Sequence, residues 1–187
     1  MRLLRRVRAY LKVLGRARRN RSDLTRHMAR RPALLGAIMG YEAAILFSNR
    51  VDLRLKYLAW MKAASLSGCS FCLDLGSPVC RELGIDDETL ADLPQYAESP
   101  RFTRLEKAAL DLAVAMSSTP AYVSPELRGR LLEDLTKGQL AELASAIAWE
   151  NHRGRLNNAL GIRAMGVAGD GFCVLPETAG SREAVSA

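Results

Sequence analysis

Two cysteines separated by two residues, Cys69 and Cys72, form the reactive cluster of this sequence. They follow the helix-like run Asp52–Leu66, and a helix that begins here would place both thiols on one face of its first turn. The unpaired N–H groups and positive dipole at a helix start favour the thiolate, the species that attacks peroxides, disulfides and metals. The motif therefore predicts a redox dithiol, with structural packing and metal binding as the alternatives.

The length and composition of the chain indicate one domain. At 187 residues and 49% hydrophobic, the chain can bury one sizeable core and does not require two. Only two of its four cysteines lie close together in the sequence, whereas a disulfide framework would use most of them. We therefore expect a cytoplasmic location and interpret Cys80 and Cys173 as bystanders.

Positive charge is concentrated at the start of the chain. Residues 1–32 contain 12 Lys/Arg and one acid, whereas residues 33–187 contain 15 Lys/Arg and 19 Asp/Glu. An argument for nucleic acid binding thus applies only to this leader. Because the leader lacks interleaved aromatic residues that would stack on bases, we expect no nucleic acid partner.

The leader has the pattern of a cationic amphipathic helix over residues 1–15, with leucine and valine on one side and arginine around them. Two functional interpretations are peripheral contact of residues 1–21 with an anionic membrane surface and docking on a partner subunit. The interpretation that we favour is that its apolar stripe packs on its own domain.

The rest of the sequence is typical of an all-α protein. Ala33–Phe47 is almost wholly apolar but too short to span a bilayer, which predicts a buried core helix. Helix starts are indicated by Asp52, by Ser124, and by capping boxes at Thr103 and Thr136. The longest helix is expected from about residue 138 to residue 163.

These patterns divide the chain into three parts. Residues 1–31 form the basic amphipathic extension, residues 32–165 form the helical domain, and residues 166–187 form a Gly/Ala-rich tail. We expect the tail to be loop-like or to dock on a neighbour.

Three stretches together resemble the carboxymuconolactone decarboxylase superfamily, in its alkylhydroperoxidase D-like branch. They are LRLKYLAWMKAASLSGCSFC, FTRLEKAALDLAVAMSSTP and QLAELASAIAWENHRGRLNNALGI. The resemblance implies an all-α bundle that assembles into homo-oligomers. It also implies that Cys69 and Cys72 reduce a peroxide or relay electrons to a peroxiredoxin, in antioxidant defence.

The proton relay of that branch is missing from this sequence. Its glutamate, twelve residues before the first cysteine, falls on Tyr57, and its histidine, four residues after the second, falls on Gly76. A carboxylate–histidine pair that moves the thiol proton is worth on the order of 10²–10⁴ in rate. Gly76 together with Pro78 is also expected to end or kink the motif helix.

Three residues are candidates for replacing the relay. Tyr57 can donate a hydrogen bond, but its reference pKa near 10 makes it a poor base. Glu150 and His152 belong to the terminal helix and, being two residues apart, do not face the same way. Glu150 is the better candidate base, with a structural hydrogen-bonding role as the alternative for each.

Other polar residues near these positions are given structural roles. Asp74 is two positions beyond Cys72, which predicts a solvated surface acid. Asn157 and Asn158 are interpreted as residues that tie helix ends together or line a subunit contact.

Two functions remain in competition. The first is a thiol-dependent peroxidase or disulfide reductase: one cysteine, which the sequence does not single out, gives a sulfenic acid and the other resolves it. An external thiol reductant restores the dithiol, so no bound cofactor is expected. The second is a catalytically weakened oligomeric scaffold or redox-responsive binding protein.

Decarboxylation needs acid–base groups rather than thiols, so the cysteine pair counts against it. A zinc site needs two ligands beyond the two cysteines, so we expect no metal.

Overall fold

The computed structural model describes residues 23–169 and 173–177, and all the regular structure in these residues is α-helical. This confirms the predicted all-α class. The leader over residues 1–22 lies outside the described residues, so its amphipathic helix and its membrane contact stay predictions. The helices are α1 (Asp23–Met28), α2 (Pro32–Phe47), α3 (Leu53–Leu66), α4 (Ser70–Glu82), α5 (Asp87–Ala91), α6 (Arg104–Ser117), α7 (Pro125–Asp134) and α8 (Lys137–Ala159).

The predicted capping residues start the helices. The Asp52 side chain accepts a hydrogen bond from the N–H of Arg54 at 2.9 Å, and Ser124 accepts one from the N–H of Leu127 at 3.1 Å. Thr103 and Thr136 form complete capping boxes at α6 and α8. These local bonds satisfy backbone donors that a helix start leaves unpaired, which explains why the sequence predicted them well.

The longest helix ends earlier than predicted. It stops at Ala159 rather than near residue 163, because Gly161 adopts a positive φ of 66° that turns the chain out of the helix. The motif helix differs in the opposite direction. Of the expected end or kink at Gly76 and Pro78, the end is wrong, because the helix continues through both residues to Glu82.

Helix α3 lies at the centre of the fold and packs on α4, α6 and α8. Its buried residues include Leu58 and Ala63, and it also buries two lysines. Lys56 is paired with Glu142, and Lys62 lies 2.7 Å from a carboxylate oxygen of Glu177. Both buried ammonium groups therefore have the paired charge that burial requires.

Helix α2 forms as predicted, but the described residues of one chain do not bury it as a core helix. Among its 16 residues only Ile45 is buried, while Leu34, Met39 and Phe47 are more than half exposed with respect to the described residues. The helix is held to α8 at two places: Tyr41 stacks on Trp149, and Glu42 is paired with Arg153. Its remaining apolar face is not covered by described residues.

The described part of the tail, residues 173–177, has no helix or strand and crosses α3 and α4. Val174 is buried, and its N–H donates to the Ser77 hydroxyl at 3.1 Å. The Ser65 hydroxyl donates to the Leu175 carbonyl at 2.8 Å. This part of the tail therefore docks on its own domain, as a loop.

Candidate functional site

The two motif cysteines lie at the junction between α3 and α4. Gly68, with a φ of +65°, makes the turn after α3, and Cys69 is the N-cap residue of α4. The Cys69 sulfur accepts a hydrogen bond from the N–H of Cys72 at 3.2 Å. The two cysteines are joined in a disulfide and are almost fully buried.

A small cavity of about 40 Å³ lies beside Cys72, between α3, α4 and α8. On this measure roughly 10–15 Å³ holds one water molecule, so the cavity has room for about three water molecules or for the reacting end of a substrate. Cys72 contributes to the cavity wall, whereas Cys69 does not. The lining residues are Tyr57, Trp60, Met61, Ala64, Cys72, Leu75, Gly76, Val79, Glu150 and Arg153.

Glu150 is the acid of this cavity and is completely buried. One of its carboxylate oxygens and the two cysteine sulfurs lie within 4.8 Å of one another. The pKa of Glu150 is raised to about 7, mainly by burial; the charge of Arg153 opposes this rise and the charge of Glu42 adds to it. A carboxyl with this pKa can exchange a proton with a neighbouring thiol near neutral pH.

Arg153 links Glu150 to the surface helix α2. Its Nη2 donates to Glu150 Oε2 at 2.6 Å, and its Nη1 donates to Glu42 Oε1 at 2.6 Å. The guanidinium lies 4.7 Å from the ring centre of Trp60. Trp60 Nε1 and Glu150 Oε1 are both buried and have no hydrogen-bond partner among the described residues.

Tyr57 and Gly76, the positions of the missing relay, line the same cavity as Glu150. A side chain at position 76 would overlap the Met61 sulfur, so a thioether fills the space next to this glycine. The structure thus brings Tyr57, Glu150, Cys72 and Cys69 together.

Two acid–base candidates lie elsewhere. His152 is exposed, and its ring stacks on Trp149 with a centroid distance of 4.9 Å, outside the cavity lining. Asp74 is buried rather than solvated, so its predicted exposure is wrong. Its carboxylate accepts the N–H groups of Met165 at 2.7 Å and Ala168 at 2.8 Å, which secures the turn after α8.

Asn157 is a contact of the sulfurs that the sequence did not reveal. Its Nδ2 lies 3.4 Å from the Cys69 sulfur and 3.5 Å from the Cys72 sulfur. Gly154, one turn earlier on α8, allows this approach, because a side chain there would overlap the Ser67 hydroxyl. The position of Asn157 in the sequence of α8 did not indicate that its side chain faces the cysteines, because the direction of the side chain depends on how α8 packs on the other helices.

The remaining cysteines have environments that do not favour reaction. Cys80 is completely buried, and this burial raises the pKa of its thiol to about 12. Burial also raises the pKa of Cys173. Both thiols therefore stay protonated at neutral pH, and a protonated thiol is a poor nucleophile.

Among the described residues, Cys69, Cys72 and Glu150 form the group that could hold a metal ion. They offer three donors once the disulfide is reduced, one fewer than the four protein ligands of a structural zinc site. The same part of the chain has no helix with the length and apolarity needed to cross a membrane.

Comparison with known sequences identifies relatives of this chain. The family model described as "Carboxymuconolactone decarboxylase family" matches residues 32–115, which include both motif cysteines. The uncharacterized protein YnjA of Escherichia coli (strain K12) is 34% identical over 128 residues, or 68% of this chain and 67% of that protein.

Solved structures share the fold. The apo structure of the debrominase Bmp8 has a TM-score of 0.73 at 23% identity and covers 89% of this chain and 87% of that chain. The alkylhydroperoxidase AhpD core of an uncharacterized peroxidase-related protein from Ralstonia eutropha JMP134 has a TM-score of 0.68 at 16% identity. This match covers 82% of this chain and 83% of that chain. At these identities the similarity shows only that the chain has the alkylhydroperoxidase D-like fold; it is not evidence about activity.

Proposed function

The chain belongs to the carboxymuconolactone decarboxylase family, and from this premise we propose that it is a thiol-dependent peroxidase. In this proposal the Cys69–Cys72 pair cycles between dithiol and disulfide. The observation that carries the proposal is the position of Cys72 in a cavity wall, with a Glu150 carboxylate oxygen within 4.8 Å of its sulfur.

The first step is attack on the peroxide by Cys72. Because Cys72 lines the cavity and Cys69 does not, a substrate in the cavity meets the Cys72 sulfur. Glu150 takes the thiol proton, the thiolate attacks one peroxide oxygen, and the O–O bond breaks. Cys72 becomes a sulfenic acid, and Glu150 returns the proton to the departing alkoxide, which leaves as an alcohol.

The second step closes the disulfide. Cys69 attacks the Cys72 sulfenic acid, the sulfur–oxygen bond breaks, and water leaves. The dithiol has then lost two electrons, which are the electrons that reduced the peroxide. An external thiol reductant or a dithiol partner protein restores the dithiol. A reducing compartment such as the cytoplasm supplies such reductants.

The test is a single-turnover experiment on the reduced protein. Stopped-flow mixing with cumene hydroperoxide, followed by mass spectrometry, should show rapid and stoichiometric formation of the Cys69–Cys72 disulfide. The matched controls are Cys72→Ser, which should not react, and Cys69→Ser, which should stop at the Cys72 sulfenic acid. Trapping with dimedone detects that acid.

Reaction no faster than free cysteine would contradict the proposal. The alternative of an oligomeric scaffold or redox-responsive binding protein would then explain the retained fold better. The loss of the relay glutamate and histidine supports this alternative, whereas the placement of Glu150 at the same cavity favours the enzyme.

A second candidate reaction is reductive removal of a halogen from an aromatic ring. The observation that favours it is the apolar cavity wall formed by Trp60, Met61, Leu75 and Val79 next to Cys72. The dithiol would supply two electrons and two protons: one proton enters the new carbon–hydrogen bond, the other leaves with the halide, and the two sulfurs form the disulfide. Halide release from a brominated pyrrole, measured beside peroxide consumption, distinguishes the two reactions.

A further inference from the structure

We infer that the Asn157 side-chain amide shifts the Cys69–Cys72 pair toward the dithiol by hydrogen bonding to both sulfurs, and is thus a catalytic residue of the cycle. Its use in turnover rests on the proposed function. Its effect on the disulfide equilibrium does not, because that equilibrium is defined without a peroxide.

The geometry fixes the amide on the sulfurs. Asn157 is 2% exposed, and its Nδ2 is shared between Cys69 Sγ at 3.4 Å and Cys72 Sγ at 3.5 Å. The neighbouring Asn158 amide donates to the Ser67 carbonyl at 2.7 Å, which ties the end of α8 to the turn before Cys69. The backbone carbonyl of Asn157 accepts a hydrogen bond from the N–H of Ile162 at 2.9 Å. The last turn of α8 is therefore held in position from two sides.

The strength of these hydrogen bonds depends on the redox state. A disulfide or thiol sulfur is a weak acceptor, whereas a hydrogen bond to an ionised sulfur is charge-assisted and roughly twice as strong as a neutral one. An amide held in one place thus stabilises the thiolate state more than the disulfide. A group that interacts more strongly with one state shifts the equilibrium toward that state.

Other charged groups at the dithiol act in different directions. The Glu150 carboxylate opposes a negative charge on the sulfurs when it is deprotonated, and Arg153 offsets part of this repulsion. Tyr57 is the further titratable side chain of the cavity wall. Among these groups, Asn157 is a neutral donor, so its contribution persists at every pH at which a thiolate is present.

The first test is a reduction potential measured by equilibration with glutathione. In this exchange two glutathione thiols form their own disulfide, and the protein disulfide takes up two electrons and one proton to give one thiol and one thiolate, with release of the second proton to solvent. The test variant is Asn157→Leu, which keeps a similar shape without the amide. We expect the equilibrium constant for reduction to fall about tenfold, which corresponds to a potential about 30 mV more negative.

Asn151 provides the matched control. It lies on the same helix, is 4% exposed, and its amide donates to the Ser117 hydroxyl and the Ile147 carbonyl, away from the sulfurs. Asn151→Leu should change the equilibrium constant for reduction by less than about twofold, because distant sites act independently. An unchanged potential in Asn157→Leu, or an equal change in both variants, would overturn the inference.

A second measurement uses the unmodified protein, so it does not depend on a variant that folds. In side-chain amide NMR spectra, the Asn157 Hδ2 resonances should move when the disulfide is reduced, while the Asn151 resonances stay in place. Asn157 resonances that do not respond to reduction would also overturn the inference. Either result is independent of whether the protein consumes peroxide.

Discussion

At the scale of single residues, the chemistry of the cavity depends on Glu150. Its carboxyl is completely buried, lies beside both sulfurs, and has a pKa raised to about 7 by that burial. We predict that Glu150→Gln lowers the rate of disulfide formation with cumene hydroperoxide on the order of 10²-fold, as expected for loss of a positioned base. Stopped-flow rates across the pH range should also lose the limb that rises near pH 7.

His152→Gln separates the two acid–base candidates of α8. The His152 ring stacks on Trp149 at the surface, so this variant should keep the wild-type pH profile. A profile that changes in His152→Gln but not in Glu150→Gln would show that the proton moves by a route other than the cavity carboxyl.

The same carboxyl makes stability depend on pH. The pKa of Glu150 is about 7 in the folded protein, against an ordinary value of 4.5, so the folded state binds the proton more tightly than the unfolded state. The stabilisation is therefore complete below pH 4.5 and is lost as the pH rises to about 7. Relative to Glu150→Gln, the wild-type free energy of unfolding should fall by about 3 kcal/mol across this range. Urea unfolding at several pH values measures it, and parallel curves would contradict it.

At the scale of helices, the site depends on the close approach of α8 to the turn before α4. A methyl group at Gly154 would overlap the Ser67 hydroxyl, lie 2.7 Å from the Ser67 Cβ and lie 3.5 Å from the Cys69 Cβ. We predict that Gly154→Ala lowers the free energy of unfolding by about 1–3 kcal/mol, the usual cost of overpacking. Thermal and urea unfolding measure this change.

Gly129 on α7 is the matched control for that substitution. It is also a glycine within a helix, but a methyl group there meets no described atom within 4 Å. Gly129→Ala should stabilise the protein by about 0.5–1 kcal/mol, because alanine has the better helix propensity. Equal effects at the two positions would mean that propensity, and not contact with Ser67, decides the outcome.

Predictability from sequence follows the range of the interactions involved. The caps at Thr103 and Thr136 were predictable because each depends on residues three positions apart. The position of Cys69 at a helix start was predictable for the same local reason. Asp74 was not, because its partners are backbone N–H groups that only the turn after α8 brings to it.

The rest of the site required the packing of three helices. Spacing alone could place Glu150 and His152 on different faces of α8, but the docking of α8 on α3 decides which of them enters the cavity. The contacts of Asn157 with the sulfurs and the link from Glu42 through Arg153 to Glu150 likewise join residues far apart in sequence. No periodicity or motif spacing in one chain indicates such contacts.

At the scale of the whole molecule, the exposed face of α2 is a candidate surface for association with a second copy. Leu34, Met39 and Phe47 are more than half exposed with respect to the described residues, and side chains at Gly36 and Gly40 would meet nothing within 4 Å. The charged residue of this helix, Glu42, is already paired with Arg153. A neutral apolar face complements a copy of itself, as in a symmetric dimer contact.

We therefore predict that the protein is a homo-oligomer and that a charge on this face dissociates it. Met39→Glu and Phe47→Glu should each weaken association on the order of 100-fold, because an unpaired carboxylate in an apolar interface costs about 3 kcal/mol or more. Sedimentation velocity over a range of concentrations measures the change. Tyr122→Glu is the matched control, because Tyr122 is a large exposed side chain on a different element, the connection between α6 and α7. A wild-type protein that stays monomeric at the highest concentration would contradict the prediction, and a loss of association in all three variants would place the interface elsewhere.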